Sequence, residues 1–338
     1  MNCFSPRRPN VERRMVKLPR WAALTWLVSI LGCGAAVGGG DIPRLLSFAT
    51  PSQGRQILGS SDDFVARLSS FDRSARLKTD QPVSEEEFLK FTAQSVLPWE
   101  PSEVDQIQSL YREMHSALLD LKVRLPRVVY IVKTTGLEEG EAAYTRTNAI
   151  VFPRQKLRNG IGRELLAHEL FHVLSRHDPD LRDKLYRSIG FQHCGEVPFP
   201  ASLAARKITN PDAPVNQHAI QVRAEGEKLW AMPILFSRSE SYDVSKGGRF
   251  FDYLEVRFML VSKEPSLKNF NSLHFPAVPV LFKKDQVSGF FEQIGRNTQY
   301  IIHPEEILAD NFMILVTGKK DVPSPEVLER MKPVFLGN

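Results

Sequence analysis

His168-Glu169-Leu170-Phe171-His172 is the stretch on which the reading of this 338-residue chain turns. Leu165, Leu166, Leu170, Phe171, Val173 and Leu174 surround it at helical spacing, and Asn159-Gly160 breaks the chain just before, so a helix is expected from about Ile161 to Ser175. Residues four apart share a helix face. Both imidazoles can therefore point at one metal ion, and the intervening Glu169 can reach a water held there. A catalytic zinc site has three protein ligands and an open position, so a third ligand must come from elsewhere in the chain.

Three carboxylates compete for that place. Glu306 and Asp310 lie four apart on a helix expected over Pro304 to Val316, with Ile307, Leu308, Phe312 and Ile314 to bury it. A carboxylate from this helix can bind the metal, and an acid one turn later can accept the free N–H of a ligating histidine. Glu305, beside Glu306, leaves the register open by one residue. Asp178 follows His172 closely, but Asp178-Pro179 reads equally well as a helix stop. Glu196 lies in a Cys-Gly-Glu-Val-Pro stretch without helical support.

With the second helix included, the chain resembles the gluzincin zinc metallopeptidases, the thermolysin-like branch of the zincins, in which H-E-x-x-H is followed by a helix bearing E-x-x-x-D. The resemblance covers the two helices alone. It implies His168, His172 and Glu306 as ligands of one zinc ion, Glu169 as general base and Asp310 as the partner of a ligand histidine. It also implies an α+β, zincin-like fold with the active-site helix beside a mixed sheet. The edge strand of that sheet would be Ala142–Phe152, with Asn148 and Ala149 able to pair with a substrate backbone by strand addition. His172 and Glu306 stand further apart than is usual in that group, and a strand-rich insertion at about 219–262 would fill the gap. The metzincin relatives, H-E-x-x-H-x-x-G-x-x-H or D, would instead place Asp178 on the metal, but Ser175 stands where they have Gly.

Outward from this centre the chain divides into three parts. Residues 1–40 have the layout of an export signal: Lys17 and Arg20, the apolar run Trp21–Leu31, then small residues. The run is short of the roughly 20 apolar residues that span a bilayer. Ile30-Leu31-Gly32-Cys33 is similar to a bacterial lipoprotein processing box, with Cys33 as the lipidated residue, so the membrane would be met only through that anchor or an uncleaved signal. Residues 41–82, mixed and rich in Gly and Ser, read as a tether or a pro-like segment that could cover a cleft. Residues 83–338 form the expected domain. In it, Ser84 and Pro101 open helices, Arg127–Val132 and Ala142–Phe152 are β-type, and Asp180–Ile189 is a short helix. The segments 219–237 and 249–261 read as one long antiparallel pair, and Val287–Ile294 and Ser324–Met331 as helices. Ile208–Pro214 reads as a turn-rich connection.

The formal charge of +5 gives no support to a nucleic-acid partner, because Arg7, Arg8, Arg13, Arg14, Lys17 and Arg20 stand against Glu12 alone in the first 33 residues and the remainder is close to neutral. Of the 3 cysteines, Cys194 is the one left to pair after signal removal, so no internal disulfide is expected. The expectation is an exported zinc peptidase of the bacterial envelope or its exterior, acting on a peptide or protein substrate. Tyr300 and His303 are candidate donors to the oxyanion, with Tyr253 and Arg257 behind them. The competing class is a non-catalytic envelope lipoprotein that uses the same scaffold to bind a partner, and an intact Glu169 argues against it.

Overall fold

Val129–Thr134 (β3) sends alternate side chains into two layers, and the domain is built around it. The computed structural model describes residues 45–264 and 278–337; the expected signal segment with Cys33 lies outside them. Leu46–Phe48 (β1) and Ala149–Pro153 (β5) flank β3 in parallel, Val96–Leu97 (β2) pairs antiparallel with its end, and Tyr144–Arg146 (β4) closes the mixed sheet antiparallel to β5. Val129, Ile131, Ile150 and Phe152 enter the main core, shared with the helices Pro101–Asp120 (α4) and Arg163–His177 (α6). Val132, Ala149 and Val151 face the other way, against Ala49 and Leu58 at the ends of Pro51–Leu58 (α1). This two-residue alternation is the pleat of a strand buried on both faces.

The fold class is α+β, as expected. From Leu46 onwards the expected tether is part of the domain. β1 joins the sheet, Thr50 caps α1 with a reciprocal bond to Gln53, and Ser69 caps Ser70–Leu77 (α2) in the same way with Asp72. The partner of β1 is residues 129–131, so no local pattern in a three-residue strand announces it. Glu85–Gln94 (α3) and α4 follow, with Arg154–Arg158 (α5) between β5 and α6.

The expected single strand Ala142–Phe152 is a hairpin. Thr147 takes the left-handed conformation (φ 50°) between β4 and β5. Ala149 therefore lies fully buried between β3 and β4, and Asn148 sits in the turn with its amide on Val128 O at 2.9 Å. Neither lies on an open edge; that position belongs to β4. The turn lacks the Gly that would have announced it.

The second sheet is antiparallel, in the order Leu281–Phe282 (β10), Leu254–Ser262 (β9), Glu227–Ser237 (β8), His218–Ala224 (β7), Phe191–His193 (β6). The expected β pair is thus three long strands, because Glu225-Gly226 (φ 51° and 82°) folds the first run back on itself. Pro179–Ser188 (α7), Phe291–Ile294 (α8), Pro304–Thr317 (α9) and Pro325–Leu336 (α10) complete the domain. The helix expected from Val287 shrinks to the single turn of α8, following Gly289 at φ 81°.

The two helices that matter, α6 and α9, lie in the centre. Leu166, Leu170, Phe171, Ile307, Leu308 and Phe312 are wholly buried between them and the sheet, each such side chain contributing about 1.5–3 kcal/mol by removal from water. Among the described residues no helix is long and apolar enough to cross a membrane.

Candidate metal centre

α6 is buried almost all round, so the stripe His168, His172, Ser175 faces protein, not water. What it faces is α9. His303 caps that helix, its Nδ1 accepting the Glu305 N–H at 3.1 Å, and Pro304 occupies the first position, where a missing N–H costs nothing. The helices run in opposite directions, with Glu305 and Glu306 opposite His172, and Asp310 opposite His168.

The two imidazoles are oriented alike. His168 Nδ1 donates to Asp310 at 2.9 Å and His172 Nδ1 donates to Glu305 at 3.0 Å. Their Nε2 atoms converge on Glu306 Oε2, at 3.2 and 3.6 Å. The ligand atoms of His168, His172 and Glu306 all lie within 4.8 Å of one another. Each supporting carboxylate is itself held, Glu305 by Ser175 Oγ and by Tyr186 OH at 2.5 Å, Asp310 by Thr298 Oγ1. Asn210 Nδ2 donates to the far oxygen of Glu306 at 2.5 Å.

Within the site two buried atoms, His172 Nε2 and Glu169 Oε2, have no hydrogen-bond partner. An interior polar atom left unpaired costs about 1–3 kcal/mol. Glu169, Glu305 and Glu306 are 3%, 1% and 1% exposed, and buried charge persists where it is paired or coordinates a metal. Two imidazoles and a carboxylate whose ligand atoms gather round the orphaned His172 Nε2 are a donor set that could hold a divalent cation.

Electrostatics among these side chains follow from the same crowding. Burial and then the charge of Asp212 push Glu169 up to about 8. Burial alone would lower His172, but the charges of Asp212 and Glu306 and the bond to Glu305 raise it to about 9. His168 is also held well above its ordinary value, its hydrogen bonds to Asp310 and Glu306 outweighing burial. Glu306 goes the other way, to about 2, because the two histidines overcome its burial.

The remaining sequence candidates separate cleanly. Tyr300 stacks on His168, with centroids 6.4 Å apart. Its ring is half exposed, while burial of the hydroxyl and the charges of Glu306, Asp212 and Glu169 lift the phenol well above its ordinary pKa, so it remains a donor. His303 is committed to capping α9, and burial lowers it to about 4. Asp178 caps α7 through Leu181 N at 3.0 Å, and Glu196 pairs with Arg67 at 2.9 Å, so neither is gathered with the histidines. Tyr253 donates to Gly247 O at 2.8 Å and Arg257 pairs with Glu255.

Three participants were not legible. Asn210 and Asp212 come from the loop that reads as a connection, and Thr145 from β4. Asp212 offers a carboxylate oxygen within 4.8 Å of ligand atoms of Glu169 and His172, and its Oδ1 accepts from Thr145 N at 2.7 Å and Thr145 Oγ1 at 2.6 Å. Nothing in an Asn-Pro-Asp turn distinguishes a site residue from an ordinary bend. Beside the loop an apolar cavity of about 70 Å³ is walled by Ile208, Leu235, Phe250, Leu254 and Tyr300.

Residues 137–179 match the model of the eCIS core domain. The match begins before β4 and ends just after α6, so it includes His168, Glu169, His172 and the β4 edge. It stops short of the helix bearing Glu306 and Asp310. No curated protein and no solved structure matches the chain.

Proposed function

We propose that the protein is a zinc-dependent peptidase of the gluzincin type, with His168, His172 and Glu306 holding the metal and Glu169 as general base. The observation that carries this reading is the convergence of both Nε2 atoms on Glu306 while both Nδ1 atoms are fixed by buried or half-buried carboxylates. Such pairing sets the tautomer in which Nε2 is free to ligate. A bound zinc would supply Lewis acidity towards the scissile carbonyl and lower the pKa of an attacking water to about 7.

The chain's own residues supply the rest. Glu169, with one carboxylate oxygen unpartnered, is the group to take the water's proton and deliver it to the leaving amine. Tyr300, protonated and stacked on His168, is the donor best placed to stabilise the oxyanion. The open edge of β4 would align an extended peptide. A partner-binding scaffold has no use for a buried glutamate left unpaired beside two converging histidines, which favours the enzyme over the non-catalytic alternative. The reading includes export by the amino-terminal segment.

Elemental analysis of the purified full chain tests the site. About one zinc per chain is expected, retained in Asp178→Ala and lost in Glu306→Ala. A well-folded wild type that cannot be loaded overturns the metal site. Cleavage of an unfolded protein that survives Glu169→Gln overturns the role of the base.

A further inference from the structure

We propose that the Ile208–Pro214 loop is an internal latch, in which Asp212 takes the place of a substrate strand and acts as a displaceable ligand, holding the site closed until the loop moves. This rests on the peptidase reading above. The first observation is the edge. β4 pairs with β5 on one side, and its outward N–H at Thr145 is the donor through which an added strand would pair; Asp212 Oδ1 already accepts it at 2.7 Å. The second is the reach of the same carboxylate towards Glu169 and His172, within 4.8 Å. One residue thus fills both the pairing position and the approach to the base.

The loop also divides the cleft. A cavity of about 150 Å³ walled by Asp63, Arg182 and His218 lies on one side and the apolar cavity of about 70 Å³ on the other, and Pro211 and Asp212 line both. Removing this partition would join them into one groove. The loop is held from several directions. Arg176 Nη2 donates to Pro211 O and Asp212 O at 3.3 and 3.2 Å, and Asn210 donates to Glu306. Asp72 accepts from the Thr209 N–H, and the buried Arg76 donates to Thr209 O, both residues being on α2. Pro211 and Pro214 stiffen the segment, which reduces the entropy lost in holding it. A permanent fourth ligand would leave Glu169 no water to activate, whereas a displaceable one is compatible with a retained base.

The test loads the full chain with Co²⁺ and follows its absorption bands while acetohydroxamate, a small metal chelator, is titrated in. Asp212→Ala and the near-isosteric Asp212→Asn are compared with wild type, with thermal melts to establish folding. The latch predicts that both variants keep cobalt, show altered bands, bind acetohydroxamate at least tenfold more tightly than wild type, and cleave unfolded protein faster. Equal acetohydroxamate binding in all three overturns the latch and leaves the peptidase standing. Loss of cobalt from folded Asp212→Asn, as expected for Glu306→Ala, also overturns it by making Asp212 a permanent ligand. A wild type that takes up no cobalt overturns the peptidase reading and the latch with it.

Discussion

Replacing Glu305 by Gln isolates the contribution of one buried carboxylate that ligates nothing. Glu305 is 1% exposed and accepts from His172 Nδ1, Ser175 Oγ and Tyr186 OH. Burial would raise its pKa, but these bonds and the charge of His172 hold it below the ordinary carboxylate value, so it is an anion at neutral pH. Gln keeps the shape and one acceptor oxygen, which can still serve His172 and Ser175, while Tyr186 must turn its hydroxyl to accept from the new amide. The bond to His172 then changes from charge-assisted, about 1.5–3 kcal/mol, to neutral, about 1 kcal/mol. The loss of about 0.5–2 kcal/mol corresponds to about a 2- to 30-fold weakening of metal affinity, overlapping the effect of removing such supports. The assay is competition for zinc against a chromophoric chelator at about pH 7.5, where the metal's ligands can deprotonate. Asp310→Asn is the comparator. Its carboxylate is 25% exposed, so water can replace part of the lost bond and a smaller weakening is expected. Folded Glu305→Gln within about twofold of wild type, or weakened less than Asp310→Asn, would refute the reasoning.

Arg76→Met removes a guanidinium bonded at 2.6 Å to both Asp72 and Glu139, all three side chains being buried. The stranded carboxylates should cost about 3–5 kcal/mol and lower the melting temperature by roughly 6–20 °C, and a drop under about 3 °C would contradict this. For the metal-free chain, His172 raised from 6.5 to about 9 contributes stability fully present below pH 6.5 and lost as pH rises through 9. Glu306, lowered from 4.5 to about 2, contributes stability present above pH 4.5 and lost as pH falls through 2. Glu169, raised from 4.5 to about 8, contributes stability present below pH 4.5 and lost as pH rises through 8, so chelator-treated protein should melt highest near pH 4.5 and lower towards pH 9, and a melting temperature that climbs steadily to pH 9 would be the wrong result.

Local periodicity carried far in some places and not in others. The α6 and α9 helices follow from their apolar repeats and from the Pro304 start. The i, i+4 pairs His168/His172 and Glu306/Asp310 were readable because a helix turns spacing directly into a shared face. Strand boundaries were less readable. Thr147-Asn148 and Glu225-Gly226 reverse the chain inside continuous β-type runs, so residues assigned to one long strand belong to two, and Ala149 moved from the edge to the interior. β1 was missed because parallel pairing leaves no mark near it in the chain.

The sequence by itself determined an α+β domain, the two facing helices and the chemical types of the convergent side chains, because helix geometry is local. Which of Glu306, Asp178 and Glu196 joins the histidines is a matter of distances in space, and Glu306 stands 134 residues after His172. Packing decided it, by setting α9 antiparallel to α6 and spending Asp178 on a helix cap and Glu196 on Arg67. The same holds for Glu305 behind His172 and for Asp212 on the β4 edge. A turn residue acquires such a position only when Arg176 from one helix and Asp72 and Arg76 from another fix the loop that carries it.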